Sequence, residues 1–204
     1  ASGKGGVGKS TITSNIAITL AKMGFNVGIL DADIYGPNLS QILLPDEHTI
    51  SLKHEKNTNK FMPIVVNNMM INSIDFIIDK DKAAIWRGPV LSKALKQLYL
   101  GTNWGNLDYL LIDMPPGTGD AYLTILNDLD IDNVVLVGVE DDFCIADLHK
   151  TNSLVKKLKK NCLGLIENMS ENFDISNDPV MSKKIQKELN LEILFSLPRI
   201  PRKA

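Results

Sequence analysis

Gly3-Lys4-Gly5-Gly6-Val7-Gly8-Lys9-Ser10 constrains this chain more than any other stretch, because it spells G-x-x-x-x-G-K-[ST]. Its glycines let successive backbone N–H groups turn inward around a phosphate without Cβ clashes. Ile12, Ile16, Ala17, Leu20 and Ala21 follow at helical spacing and end at Gly24. A helix starting near Lys9 therefore adds its unpaired N–H donors and partial positive charge at the same point. Lys9 is placed to reach the β- and γ-phosphates, and the Ser10 hydroxyl to hold Mg²⁺. An ordinary Gly-rich turn is the plain alternative, and the helical pattern weighs against it. The stretch through Thr11 predicts a nucleotide site for ATP and Mg²⁺.

Composition narrows the setting. At 204 residues the chain fits one domain, 1–204, with a polar insertion at about 45–60. No apolar run approaches the length of a membrane span. A net charge of −2 gives no reason to expect nucleic acid as a partner. Cys144 and Cys162 are too far apart in sequence to suggest a disulfide framework, so the cytoplasm is the expected compartment. A P-loop follows a buried strand, yet only Ala1-Ser2 precede this one and no methionine begins the chain. The sequence reads as a piece of a longer protein that lacks the domain's first strand.

Along the chain, strands are expected at Phe25 to Leu30, Phe61 to Val66, Met69 to Ile74, Leu107 to Ile112, Val134 to Val139, Cys162 to Ile166 and Ile193 to Phe195. Asn67-Asn68 marks a hairpin between the second and third. Helices are expected after Pro89, after Asp120 as far as Leu129, from about Ala146 to Lys160, and over 180–189. Residues 45–60, with His48 and His54, read as a mobile loop and not a metal site. This alternation predicts an α/β fold: a P-loop NTPase three-layer sandwich, with a mainly parallel central sheet and helices on both faces.

Acids at strand ends supply the remaining chemistry. Asp113 closes the apolar run Leu110-Leu111-Ile112, where a carboxylate can hold Mg²⁺ opposite Ser10; capping the next turn is the alternative. Pro115 to Gly119 joins stiff prolines to permissive glycines and suits a switch beside the γ-phosphate. Asp120 either caps the next helix or belongs to that switch. Asp31 and Asp33 follow another strand, and Asp33 is preferred as the group that orients the attacking water. Asn168 carries a donor and an acceptor that can read a purine edge, or is simply a turn residue.

Lys4 adds a second lysine to the loop, whose own backbone blocks it from the phosphates it encloses. The spelling K-G-G-V-G-K-[ST] resembles the deviant P-loop ATPases related to MinD, ParA and nitrogenase iron protein. That resemblance implies a homodimer across the nucleotide with Lys4 acting in trans; a solvated loop lysine is the alternative. With Lys9 from the motif and Asp33 from its loop position, Lys4, Lys9 and Asp33 are the expected catalytic groups.

Asp31-Ala32-Asp33-Ile34-Tyr35-Gly36-Pro37, Trp86-Arg87-Gly88-Pro89, Asp108 to Asp120 and Gly164-Leu165-Ile166-Glu167-Asn168-Met169-Ser170 together resemble the Mrp family of iron–sulfur cluster carrier ATPases. The resemblance runs from Ser2 to about Pro198. It implies slow ATP hydrolysis by a homodimer that carries a [4Fe–4S] cluster, Asn168 near the adenine, and scaffold or apo-client proteins as partners. Family members commonly carry C-x-x-C just after E-N-M-S. Here Glu171 to Pro179 contains no cysteine, and carboxylates and amides are poor substitutes for thiolate. Cys162 reads as a small buried hydrophobe, and Cys144 as a residue preceding a helix. A nucleotide-state switch without a cluster, or a MinD- or ParA-like positioning ATPase, is the alternative function. Arg87 carries no assigned role.

Overall fold

The computed structural model describes residues 1–34, 36–44, 53–55, 58, 60–77, 88–170, 186 and 188–199. These fall into two compact units, one of Ser10–Pro115 with Gly119–Leu129, the other of Ala1–Lys9, Pro116–Thr118 and Asp130 onward.

The first unit contains α1 (Lys9–Lys22, its first residue belonging to the other unit), β1 (Val27–Asp31), α2 (Leu39–Leu43), β2 (Lys53–His54) and β3 (Phe61–Met62). Its later elements are β4 (Ile64–Val66), β5 (Met69–Ser73), α3 (Gly88–Gly101), β6 (Tyr109–Asp113) and α4 (Asp120–Asp128). All five residues of β1 are buried, as a strand covered on both faces must be. It lies parallel to β5 and β6, while β4 runs antiparallel to β5, giving a four-stranded sheet of order β4-β5-β1-β6. Ala17 of α1 and Leu39 and Leu43 of α2 pack with Val27, Ile29, Met69 and Ile71 into one apolar cluster. Met69 thus fills core.

Asn67 and Asn68 have φ of 49° and 63°, the paired left-handed geometry of a tight hairpin turn. The segment expected as a mobile loop holds one structured piece: β2 pairs antiparallel with β3, and the His54 ring lies 4.6 Å from that of Phe61. The rest of 45–60 lies mostly outside the described residues, His48 included.

The second unit contains β7 (Asn133–Gly138), α5 (Asp142–Lys157), β8 (Asn161–Ser170) and β9 (Ile193–Pro198), the strands parallel in the order β7-β8-β9. Ala1 lies along β7: its amino group donates to the Val135 carbonyl at 2.7 Å and its carbonyl accepts from Val137 N–H at 2.8 Å. Helix α5 begins four residues before the expected Ala146, because the Asp141 carboxylate caps it by accepting the Phe143 and Cys144 N–H groups. β8 runs on to Ser170, so Asn168 lies within a strand and not after one. The helix expected over 180–189 falls mostly outside the described residues. Among the described residues no helix is long and apolar enough to cross a membrane.

The hairpin turn gives a direct test. Asn68→Gly should raise stability by roughly 0.5 kcal/mol, whereas Asn68→Val should lower it by about 1–2 kcal/mol. Urea unfolding midpoints measure both.

Candidate nucleotide site

Most of the phosphate loop belongs to the unit built on β7, β8 and β9. Ser2 is fully buried, and its hydroxyl donates to the Lys4 carbonyl at 2.7 Å, folding the chain back as it enters the loop. Gly3 lies against α5: a Cβ there would stand 2.6 Å from Asp147 Cβ and 2.7 Å from the Asp147 carbonyl oxygen. The first glycine of the motif is thus demanded by packing, not by phosphate. Gly6 and Gly8 have φ of 79° and 90°, which turns the backbone as an anion nest requires. Pro116 of the expected switch segment lies beside Gly5.

A cavity of about 310 Å³ opens on this loop, lined by Lys4 to Val7, Val139 to Asp141, Met169 and Arg199. Lys4 Nζ lies 2.9 Å from Asp141 Oδ2, and the other oxygen of that carboxylate caps α5. The hydrogen bond to Asp141 raises the Lys4 pKa, and Lys4 in turn lowers that of Asp141. Both side chains are about two-fifths exposed, 41% and 35%, so water screens the pair to a weak tether. Asp141 and Arg199 were missed by sequence reasoning. The signal for Asp141 was present as an acid one residue before a helix; nothing in spacing pointed to Arg199.

Lys9, at 6% exposure, and Ser10 open α1, and Thr11 is exposed on its first turn. Within the other unit, Thr13 stands one turn beyond Ser10, with its hydroxyl 3.5 Å from Asp113 Oδ1. Asp113 is 1% exposed and in register with Asp31, so parallel pairing sets two carboxylates side by side at the sheet's C-terminal edge. Burial, then the neighbouring Asp113 charge, push Asp31 up to about 8. Asp31 accepts the Asp33 N–H at 3.1 Å and the Leu39 N–H at 3.3 Å, which holds the loop together. Asp33, 7% exposed, accepts the Gly36 N–H at 3.2 Å.

No group of three or more His, Cys, Asp or Glu gathers as a metal cage among the described residues. Mg²⁺ needs no such cage, since it takes one or two carboxylates with water and substrate phosphate. Two crowded buried acids beside a hydroxyl fit that donor set, because a divalent cation relieves their repulsion.

Three expectations change. Asp120 does not cap α4: Gly119 holds the cap position without a side-chain bond, and Asp120, already helical, directs its carboxylate onto Gly88 at the start of α3. Cys144 lies inside the first turn of α5, 1% exposed, not ahead of a helix. Cys162 is only half-buried. Burial raises both thiol pKa values, which disfavours thiolate. Tyr35, Arg87 and the Glu171 to Pro179 stretch lie outside the described residues.

A glycine-turned loop opening a helix is the signature of a P-loop nucleotide-binding protein. Solved structures share the fold: an ADP-bound nucleotide-binding protein from Archaeoglobus fulgidus matches at a TM-score of 0.77 and 28% identity, over 98% of this chain and 79% of that one. The septum site-determining protein MinD with Mg-ADP from Pyrococcus horikoshii matches at 0.71 and 24%, over 98% and 80%. A family model described as ParA, NUBPL iron-transfer P-loop NTPase, matches residues 1–199, and the chain belongs to that family. The iron-sulfur cluster carrier protein of Rickettsia felis is 40% identical over 202 residues, covering 99% of this chain and 61% of the relative. The chain spans about three fifths of the length of the curated relatives it matches.

Gly3→Ala should destabilise the protein by about 1–3 kcal/mol, because the Asp147 backbone must move; chemical denaturation reads this. In native protein at pH 7, iodoacetamide should modify Cys162 before Cys144, and both more slowly than in the urea-unfolded chain. Peptide mass spectrometry after timed quenching measures the order.

Proposed function

We propose that this chain is the Mg²⁺-dependent ATPase domain, single over 1–204, of a homodimeric iron–sulfur cluster carrier or assembly factor working in the cytoplasm. The observation that carries the reading is the phosphate loop, with left-handed Gly6 and Gly8 leading into α1. Backbone N–H groups from Gly5 to Thr11 bind the phosphates, and Lys9 balances their charge. Ser10 and Asp113 would hold Mg²⁺, whose contribution when bound is to neutralise the phosphate oxygens. Asp31 is committed to two loop N–H groups, which supports Asp33 as the group that orients water. Lys4 leaves Asp141 to reach the nucleotide of a second copy.

Family membership and the carriers' names support a [4Fe–4S] cluster as cargo, and scaffold or apo-client proteins as partners. This chain's thiols do not fit a cluster site, since Cys144 is buried in the first turn of α5 and Glu171 to Pro179 has no cysteine. The cysteine inventory favours a second reading, a nucleotide-state switch that carries no cluster.

Lys9→Ala and Asp113→Asn should each lower kcat by roughly 10²-fold or more, measured by phosphate release. Lys4→Ala should keep nucleotide binding but abolish ATP-dependent dimers in light scattering; dimers that persist would remove the trans role. Iron and acid-labile sulfide after anaerobic reconstitution of the full-length protein separate the two readings, a stable cluster supporting the carrier and its absence the switch.

A further inference from the structure

Asn168 Nδ2 donates to the Val7 carbonyl at 2.9 Å, a contact from β8 onto the phosphate loop. A peptide is planar and trans, so the C=O of Val7 and the N–H of Gly8 point in opposite directions. Holding that carbonyl from behind aims the Gly8 N–H the other way. Gly8 completes the fit: its φ is 90°, and a Cβ there would overlap Asn168 Nδ2.

The strand is shaped to make this contact. Glu167 pairs with Ser196 and Ser170 with Pro198, so β8 carries one more residue than β9 across the interval, and Met169 takes φ of 56°. Such a bulge re-aims a side chain beside a binding site. The neighbouring Glu167 is fixed by the Ser196 hydroxyl at 2.7 Å, which anchors the bulge on one side. On the other, the Arg199 N–H donates to the Ser170 carbonyl at 3.2 Å.

We infer that Asn168 is a positioning residue of the phosphate cradle: its carboxamide fixes the Val7–Gly8 peptide so that the Gly8 N–H faces a bound polyphosphate. The inference rests on the nucleotide reading above and gives Asn168 a task at the phosphates, whatever else its carboxamide meets. A positioning residue acts on every ligand bearing the same phosphates, whereas a base reader acts on one base.

The test is calorimetric titration of wild type, Asn168→Leu and Asn168→Ala with ATP, GTP and inorganic tripolyphosphate. Asn168→Leu keeps the branched shape and removes the donor without adding charge, so a folded variant is available even if the alanine change disturbs β8. Both variants should weaken all three ligands by about tenfold, one hydrogen bond's worth, with the ATP-to-GTP ratio unchanged. The ¹⁵N-labelled Gly8 amide should shift on adding tripolyphosphate to wild type and shift far less in Asn168→Leu. Loss confined to ATP with tripolyphosphate unaffected would overturn the inference in favour of base reading. Unchanged affinity for all three would overturn it outright. A wild-type protein that binds none of them would remove the nucleotide reading and this role with it.

Discussion

A phosphate cradle made of backbone N–H groups works only if the backbone is held in place before the ligand arrives. Glycine-rich chain is the least inclined to hold itself, since each glycine loses the most conformational freedom on ordering. Here the ordering comes from behind the loop. Ala1 is laddered to β7, Gly3 lies against the backbone of α5, and the Val7 carbonyl rests on Asn168. Three separate elements of one compact unit therefore set the entry, the base and the crest of the turn. The glycines are permissive, and the surrounding sheet and helix make the choice for them.

The acids across β1 and β6 show the opposite arrangement, in which stability yields to chemistry. Parallel pairing in register leaves no freedom to separate Asp31 from Asp113 once Val27 to Leu30 are buried against Tyr109 to Ile112. Burying two like charges together is unfavourable, and the shift of Asp31 to about 8 records it. Loop N–H groups from Asp33 and Leu39 offset part of the cost by bonding Asp31. A divalent cation bound there would relieve that cost, which supports the Mg²⁺ role proposed for Asp113.

What the sequence disclosed follows from how local each signal is. The phosphate loop, β1, the Asn67-Asn68 turn and α3 depend on residues within one or two turns of chain, and they lie close to where they were expected. The start of α5 was missed because its cap, Asp141, stands ahead of Phe143, which is 79% exposed and breaks the apolar stripe. Asp120 was left between a cap and a switch role because an acid beside a helix start reads the same at the cap as at the first helical position; the structure places it at the latter, against Gly88. Asn168 was named from the sequence, but its contact with Val7 depends on a bulge in β8, and Arg199 comes beside the loop only through β8–β9 pairing; register between distant strands leaves no trace in local spacing.

Lys4 ties the loop to that missed helix. One Asp141 carboxylate accepts from Lys4 with one oxygen and from the α5 N-terminus with the other. Removing Lys4 leaves the cap intact, so α5 does not depend on where Lys4 points. The tether is exposed and screened, and a single carboxylate competes poorly with the several charges of a polyphosphate. For the trans role proposed above, Lys4 would be held in a defined direction while no second nucleotide is near, and surrendered at little cost when one is. A buried, well-bonded partner would have fixed the lysine too firmly for that exchange, and no partner at all would have left its ordering cost to the encounter.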